Sequence, residues 1–511
     1  MNYKQGVLSY RIECEPTSQN LTALSGLAPY LDLAIGSGLV DSIRRNVSVC
    51  GEQGWTDDQM VMSLVLLNLA GGECVDDLEH LNADAGFGKL LRWCENHGFS
   101  RRVRREMGRR WRKARERSLV SASAARRYLS AFHDESQEKL RKAGKALIVK
   151  PNEHLLGLRR VNGEFAGFVQ RCSRRLVATL DLDATLIETT KKDALFCYKH
   201  FRAYQPLNVW WAEQELMIHS EFRDGNVPAG YKQLNVVKEA ISYLPSSVGK
   251  VRLRSDTAGY EHKLLRWLDG IDNKGLGRIE FAISCDVSRE FKAAVEDLDE
   301  DGWHTVYKEV DGTQVETRRQ WADVCFVPEA IACSNKAPVY RYLATREPLR
   351  DPVLPGMESQ QMSLPFQTMN RDGVTYKVFG VVTNMNWDGG AVIRFHDARS
   401  GKSEEAHKIL KDDFAGGKMP SSEFGANAAW WAIAILAMNL ASAMKRIVLG
   451  GDWAKRRMKA IRFLLINVAG RIVVKARQLY LRLSGDHPAL ELLARMRERI
   501  RELASSPPIP A

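Results

Sequence analysis

The sequence lacks the features that mark several classes of protein. Its nine cysteines are an odd number and none belongs to a C-x-x-C pair, so neither a zinc ribbon nor a disulfide framework is indicated. The first residues, MNYKQGVLSYRIECEP, contain no apolar core of a signal peptide, and a cytoplasmic protein is expected. The most apolar window, 428–443, is short for a membrane span of roughly 20 residues. We therefore predict a buried core helix there and no membrane partner.

The composition is that of an ordinary folded protein with a basic excess. Among 511 residues, 74 Lys and Arg against 62 Asp and Glu give a net charge of +12, which favours a polyanionic partner. Part of the excess lies in RRVRREMGRRWRKARER, residues 101–117, with ten Arg or Lys and two acids. Solvated helix faces usually interleave both signs, so we interpret this run as a contact to the DNA backbone. The predicted contacts are Arg101, Arg102, Arg104, Arg105, Arg109, Arg110, Arg112 and Lys113.

Hydrophobic periodicity divides the chain into helical and sheet-forming parts. Helical patterns dominate up to about residue 165, with Thr56 as an N-cap and a further helix over 124–139. Alternation then predicts strands over 176–183, 206–212, 214–222, 250–256 and 279–285, with helices over 231–243 and 262–268. Three strands followed by helix, strand, helix and strand predict a mixed sheet covered by helices. Short strand-like runs follow over 303–384, then a turn at Asp388-Gly389-Gly390 with a short strand, and helices over 402–414, 425–448 and 489–503.

Acidic residues at strand ends are the candidates for chemistry on a polyanion. Two divalent ions about 4 Å apart can stabilise the attacking and leaving oxygens of a phosphodiester, and carboxylates must hold them. Asp183 ends the first strand and Asp256 ends VRLRSD, whereas Asp181 shares a face with Asp183, so periodicity leaves the choice between those two open. Glu404 lies in a predicted helix seven positions before Lys411, close to two helical turns.

The chain resembles bacterial insertion-sequence transposases of the DDE type in several long segments that keep their order over nearly its whole length. The segments are TLDLDATLIETTKKDALFCYKHFRAYQPLNVWW, EFRDGNVPAGYKQL, VRLRSDTAGYEHKLLRW, EFAISCDV and RSGKSEEAHKILKDDFAGGKMPSSEFGANAAWW. This resemblance implies an α/β fold with a ribonuclease-H-like mixed sheet core, a β-rich insertion and an all-helical N-terminal region. It further implies that three acidic residues bind two Mg²⁺ ions, with Mn²⁺ as a substitute.

Carried over by motif, the resemblance assigns individual residues. The D-x-T pattern puts the first metal ligand at Asp183, R-S-D-x-A-G-Y puts the second at Asp256, and S-E-E-A-H puts the third at Glu404, with Glu405 as the alternative. The related Y-x2-R-x3-E-x6-K signature is met at Glu404 and Lys411, but Arg399 stands one residue too far upstream. The resemblance gives the positioning of phosphates to Arg399, Lys408 and Lys411.

The same resemblance implies an organisation and a function. The expected regions are a helical DNA-binding region (1–165), the first part of the catalytic core (166–290), the β-rich insertion (291–390), the last part of the core (391–450) and a C-terminal segment (451–511). The expected activity is cleavage of the ends of an insertion sequence and joining of their 3′ hydroxyls to target DNA. Expected partners are the terminal inverted repeats, target DNA and a second copy, as a homodimer on DNA in the bacterial nucleoid. A non-catalytic DNA-binding protein and a nuclease on the same core remain alternatives.

Overall fold

The structure, a computed structural model, describes residues 20–110, 119–273, 277–310, 312–329, 338–349 and 366–505. Its N-terminal part consists mainly of helices: α1 (Ala28–Gly36), α2 (Leu39–Asn46), α3 (Asp57–Ala70), α4 (Leu78–Ala83), α5 (Ala85–Glu95), α6 (Arg101–Arg109), α7 (Ala122–Ser130), α8 (Glu138–Arg141) and α9 (Glu153–Cys172). Thr56 is the N-cap of α3, as predicted, and its backbone N–H donates to Gln59 at 3.1 Å.

Two predictions for the N-terminal part need correction. The single helix expected over 124–139 is two helices, α7 and α8, because the Asp134 carboxylate accepts from the backbone N–H of Ser136 and holds a turn between them. The region is also not wholly helical: Leu21–Thr22 forms β1, which pairs with a strand near the C-terminus. Pairing of this kind joins distant parts of a chain, so local periodicity does not reveal it.

The centre of the protein is one large mixed sheet. Its strands are β2 (Val177–Ala184), β5 (Leu207–Trp211), β6 (Leu216–Glu221), β7 (Lys250–Ser255), β8 (Glu280–Cys285), β9 (His304–Val310), β10 (Thr313–Val324), β11 (Arg341–Pro348), β12 (Gln367–Arg371) and β13 (Val374–Thr383). Two small sheets stand apart from it: β3 (Ile187–Glu188) pairs with β4 (Ala203–Tyr204), and β14 (Gly470–Lys475) lies between β1 and β15 (Gln478–Arg482). The order across the large sheet is β6-β5-β2-β7-β8-β13-β11-β10-β9, with β12 beside β13. β2, β7 and β8 are parallel, and β5 and β6 pair antiparallel beside them, so the mixed α/β core is confirmed.

The strands of the expected insertion continue the core sheet rather than forming a sheet of their own. β13 pairs antiparallel with β8, with Gly380 opposite Cys285 and Thr383 opposite Ala282. The glycine is needed at that point, because a Cβ on Gly380 would lie 2.4 Å from the sulfur of Cys285. β11, β10 and β9 then extend the sheet outward.

The remaining helices are α10 (Gln233–Ser242), α11 (His262–Leu268), α12 (Arg289–Glu296), α13 (Gly389–Asp397), α14 (Lys402–Asp413), α15 (Phe424–Ala443), α16 (Met458–Ile461) and α17 (Ala489–Ser505). By length and composition Phe424–Leu449 could cross a membrane. Along α15, however, nearly every side chain is buried, including Trp430 and Trp431, and the helix packs against α3, α9 and β6. The predicted buried core helix is therefore confirmed.

The short strand expected after Asp388 is wrong, because α13 begins at Gly389. The Asp388 carboxylate accepts from the backbone N–H of Ala391 and caps the helix. Gly389 reads as a turn residue in the sequence, but its role is close packing: a Cβ there would lie 2.0 Å from the ring of Trp321. This contact crosses from α13 to β10, and α13 leads directly into the helix that carries Glu404.

Candidate active site

Asp183 and Asp256 lie side by side at the carboxyl ends of neighbouring parallel strands. β2 and β7 pair in register, with Leu182 opposite Ser255, and the two aspartates are the next residue on each strand path. Parallel strands present their carboxyl ends at one edge of a sheet, where ligands bind in open α/β sheets. The sheet thus brings together two side chains that are distant in the chain.

Asp181, the alternative left open by periodicity, is committed to a closed ion pair. Both of its oxygens accept from the Arg254 guanidinium, at 2.5 and 2.8 Å. The same guanidinium donates to the carbonyl of Phe395 at 2.8 Å and lies over its ring, which ties the sheet to α13. Fork-to-fork pairing of this kind gives both oxygens of a buried carboxylate a charged donor, although burial still raises the pKa of Asp181 against the effect of Arg254. Asp181 is therefore a structural residue.

Asp183 has weaker and more varied partners. Its Oδ2 accepts from the Ser403 hydroxyl at 2.9 Å and lies 3.7 Å from a nitrogen of Arg399. Burial raises the pKa of this carboxyl, Arg399 opposes that effect, and the charge of Glu404 adds to it. The partners of Asp183 therefore come from α14 and from the turn before it, and not from the sheet.

Asp256 carries an unbalanced charge. Burial raises its pKa and the neighbouring negative charge of Asp183 raises it further, while Arg399 acts in the opposite direction. One oxygen accepts from the backbone N–H of Ala258 at 3.0 Å. Neighbouring carboxylates that repel one another are a place where an additional cation is stabilising.

The two glutamates at the start of α14 face different surroundings. The charge of Glu404 acts on Asp183, whereas the charge of Glu405 acts on Lys445, where it opposes the lowering of the lysine pKa by burial. Both side chains are exposed at the first turn of the helix. Adjacent helical positions point about 100° apart, which separates the two carboxylates. Glu404 is thus the glutamate on the side of the two aspartates.

The predicted phosphate-positioning residues have distinct placements. Arg399 lies in the turn between α13 and α14, where its charge lowers the pKa values of Asp181, Asp183 and Asp256 against the effect of their burial. Lys411 donates to the Thr185 hydroxyl at 3.1 Å, so it holds the loop that follows Asp183. Lys408 is exposed on the outer face of α14.

A hydrogen-bonded chain fixes His407, which the sequence did not single out. The Trp431 indole, which can only donate, donates to the Ser220 hydroxyl at 2.8 Å, and that hydroxyl donates to Asn208 Oδ1 at 2.6 Å. The Asn208 amide group is then directed at His407 Nε2, 3.0 Å away. Nε2 must accept, so the proton of the neutral ring sits on Nδ1, which lies 3.8 Å from Asp183 Oδ2.

The charge state of His407 agrees with this tautomer. Burial, together with the positive charges of Lys411 and Arg399, lowers the pKa of His407 to about 4. At neutral pH the ring is therefore uncharged and has one proton to donate. The pattern E-x-x-H on α14, with positions i and i+3 on neighbouring faces of a helix, is the signal that could have pointed to this residue.

Two of the three carboxylates expected to hold a metal are adjacent, and the third is on the facing helix. Hard carboxylate oxygens are the ligands that Mg²⁺ prefers, so the donor chemistry fits. The raised pKa values of Asp183 and Asp256 fit as well, because a cation would relieve their repulsion. Within the described residues, however, no group of three His, Cys, Asp or Glu side chains is close enough to hold an ion as it stands.

The basic run is partly a helix that presents its charge to solvent. In α6, Arg101, Arg102, Arg104, Arg105 and Arg109 are exposed, and no residue of the helix is buried. Arg110 differs, because its guanidinium donates to the carbonyls of Gly51, Gly54 and Trp55 and so holds a loop. Arg112 and Lys113 lie outside the described residues.

Comparison with known proteins shows which family the sequence matches. The sequence model described as "Transposase DDE domain group 1" matches residues 53–327 and 366–505. Among solved structures, the chain is similar to a piggyBac transposase in a synaptic complex with hairpin DNA, with 10% sequence identity, a TM-score of 0.39, and coverage of 96% of this chain and 82% of that one. No curated protein matches the chain.

Proposed function

The chain belongs to the family of transposases with a group 1 DDE domain, and from that premise we propose that it cuts the ends of an insertion sequence and joins their 3′ hydroxyls to target DNA. The family implies a metal-dependent enzyme of DNA cleavage and transfer. The observation that carries the proposal is the pair of Asp183 and Asp256 at one sheet edge, with Glu404 on the helix that faces them.

The placement of each side chain supports the proposed roles. Asp183, Asp256 and Glu404 would hold two Mg²⁺ ions, or Mn²⁺ in their place, which supply charge neutralisation at the phosphate and activation of water. Lys411 keeps the loop after Asp183 in place, and the exposed Lys408 is available to a DNA phosphate. Arg399, whose side chain is 14% exposed and stands 3.7 Å from Asp183, would position a phosphate only where it approaches that carboxylate. The protonated Nδ1 of His407 lies 3.8 Å from Asp183 Oδ2, so the ring stands beside that carboxylate without a direct hydrogen bond to it.

The proposed reaction has two displacements at phosphorus. Water attacks the phosphodiester at the element's end, the P–O bond to the 3′ oxygen breaks, and that oxygen takes a proton to become a free hydroxyl. The hydroxyl then loses its proton as its oxygen attacks a phosphodiester of target DNA in line, and the bond to the 3′ oxygen of the target strand breaks as that oxygen takes up a proton. Neither displacement requires a covalent bond to the protein.

The test is cleavage of a plasmid that carries the DNA flanking the gene, in Mg²⁺ and in Mn²⁺. Asp183→Asn, Asp256→Asn and Glu404→Gln should each reduce strand cleavage by more than about 10³-fold, as removal of a central catalytic group does. Binding to the same DNA should persist, and Glu405→Gln is the matched control that should still cut. Normal cutting by Glu404→Gln together with loss of cutting in Glu405→Gln would move the third ligand by one residue.

One observation favours a second candidate, a DNA-binding protein without cleavage activity. The three carboxylates are not assembled into a ligand cluster within the part of the chain that the structure describes. Such a protein would shift the plasmid fragments in a gel in Mg²⁺ without nicking them. A nuclease on the same core would instead cut without joining ends, so sequencing of the products separates all three functions.

We also propose that α6 contacts the DNA backbone and that the protein acts as a homodimer on DNA at the bacterial nucleoid. Replacing Arg101, Arg102, Arg104 and Arg105 with Gln removes exposed charge that the fold does not bury. The slope of log affinity against log salt should become shallower by about 0.9 for each phosphate that the variant no longer neutralises. An unchanged slope would remove α6 from the interface, and light scattering of the DNA complex would test the dimer.

A further inference from the structure

The strand that carries Asp183 continues into a hairpin whose surface the proposed chemistry does not use. β3 and β4 pair antiparallel, and Phe196 bridges Arg202 nearer the tip; we refer to residues 187–204 as the aromatic hairpin. Its base adjoins the candidate site, because Lys411 of α14 donates to Thr185 and to the carbonyl of Leu186. A ligand on the hairpin would therefore lie on the same side of the sheet edge as the carboxylates.

Two large aromatic rings stand out of the hairpin into solvent. Phe196 is 56% exposed and Tyr198 is 69% exposed, whereas Cys197 between them is 4% exposed. Phe196 lies at the bridge to Arg202, and Tyr198 lies in the turn that the His200 N–H closes on the Cys197 carbonyl at 2.9 Å, so the two rings flank a residue that points inward. Exposed aromatic residues that lie close together are typical of binding surfaces.

The hairpin is held by bonds that do not involve the outer faces of the rings. The Arg202 guanidinium donates to the carbonyls of Lys192 and Ala194, and it lies 4.6 Å from the centre of the Phe196 ring. Two residues at the end of α8 anchor Asp193. Arg141 donates to the Asp193 carbonyl, and Lys142 donates to the Asp193 carboxylate. A platform fixed in this way costs little conformational entropy when it binds.

The charge of the aromatic hairpin suits an anionic ligand. Residues 187–204 contain four Lys or Arg and two acids. One of the acids, Asp193, is paired with Lys142 at the end of α8 and does not neutralise the lysines of the hairpin. Lys192 and Lys199 are exposed to solvent. The ammonium of Lys199 lies 5.7 Å from the centre of the Tyr198 ring, so a cation and a stacking surface stand together. Aromatic rings interleaved with basic side chains are the chemistry that binds single-stranded nucleic acid.

We propose, on the basis of the DNA-cutting function above, that the aromatic hairpin binds single-stranded DNA by stacking an unpaired base on Phe196 and Tyr198. The two rings stand on either side of the buried Cys197, so an unpaired base can stack on the exposed face of either ring. Lys192 and Lys199 contact the flanking phosphates.

The experiment uses the full-length protein and a dT oligonucleotide of about 12 nucleotides with one central 2-aminopurine, whose fluorescence falls when it stacks. The double variant Phe196→Leu/Tyr198→Leu keeps apolar bulk but has no aromatic face. It should bind the oligonucleotide about tenfold more weakly, because stacking on aromatic side chains contributes that much per base. It should also lose the quenching of 2-aminopurine that we expect with the unmodified protein.

Matched controls separate stacking from charge and from folding. Phe379→Leu removes an exposed ring elsewhere that also has a lysine, Lys377, 4.6 Å from its centre, and it should bind and quench normally. Lys192→Gln/Lys199→Gln should weaken binding of the oligonucleotide and of a blunt duplex alike, with quenching retained at saturation. The melting temperature of the double leucine variant should match that of the unmodified protein, since both rings are at the surface.

Two results would overturn the proposal. One is equal affinity and equal quenching in the unmodified protein and the double leucine variant. The other is an equal loss of affinity for the oligonucleotide and the blunt duplex in that variant, which would show a surface that does not distinguish unpaired bases. Neither result bears on cleavage, which Asp256→Asn tests independently.

Discussion

Asp181 and Asp183 stand two residues apart on the same strand and same face, yet their surroundings differ. Asp181 is fully buried and both of its oxygens are bound by the single guanidinium of Arg254. Asp183 shares a crowded edge with Asp256, and its nearest positive charge, on Arg399, is 3.7 Å away. A carboxylate with both oxygens bound by one guanidinium holds the fold together, whereas one without a bidentate partner is available to a ligand.

The largest effect expected from this comparison is on stability. Asp181→Asn would leave the buried guanidinium of Arg254 without its anion, and the free energy of unfolding should fall by about 3–5 kcal/mol. Urea denaturation followed by circular dichroism measures the change. Arg278→Gln, which breaks the half-exposed pair with Asp269, is the control and should cost no more than about 1 kcal/mol. A small loss in Asp181→Asn would mean that the closed pair is not structural.

A smaller effect is expected from breaking the series of hydrogen bonds that orients His407. In Ser220→Ala the Asn208 amide loses the donor that sets its orientation, so His407 loses its fixed tautomer. Cleavage should fall about tenfold, as it does when the partners that orient a site's side chains are removed. Nitrogen NMR of His407 should report an unprotonated Nε2 in the unmodified protein and a mixture in the variant. Identical spectra would contradict the chain of bonds.

The smallest expected effect is a gain in the free energy of unfolding, on replacing Asp256 with Asn. The pKa of Asp256 is raised in the folded protein, so the stability linked to this group is complete below the ordinary pKa of an aspartate and is lost as the pH rises through the folded pKa. Asp256→Asn removes that loss, and the free energy of unfolding without divalent ions should rise by up to about 1 kcal/mol at neutral pH. Thermal melts should show the gain at pH 7 and almost none at about pH 3, below the ordinary pKa of an aspartate. If Asp256→Asn were less stable than the unmodified protein at pH 7, this prediction would be wrong.

Much of the architecture could be predicted from the sequence. Helix α11 begins and ends at the predicted residues 262 and 268, and the strands of the core lie within a few residues of their predicted bounds. These elements are set by local alternation and helical period, which tertiary contacts do not alter here. The helix α13 was missed, since two glycines after an aspartate normally indicate a turn. Only contact with Trp321 from another strand explains why small residues are needed inside a helix.

For the site, the sequence by itself determined which acidic residues end strands or begin a helix, and family likeness ordered them as Asp183, Asp256 and Glu404. Only the tertiary structure decided which carboxylates are paired with a structural arginine and which face one another, because partners such as Arg254 and His407 come from strands and helices far along the chain from the aspartates they approach. Periodicity fixes the direction in which a side chain points. It does not fix what stands opposite, since that depends on how distant strands and helices pack.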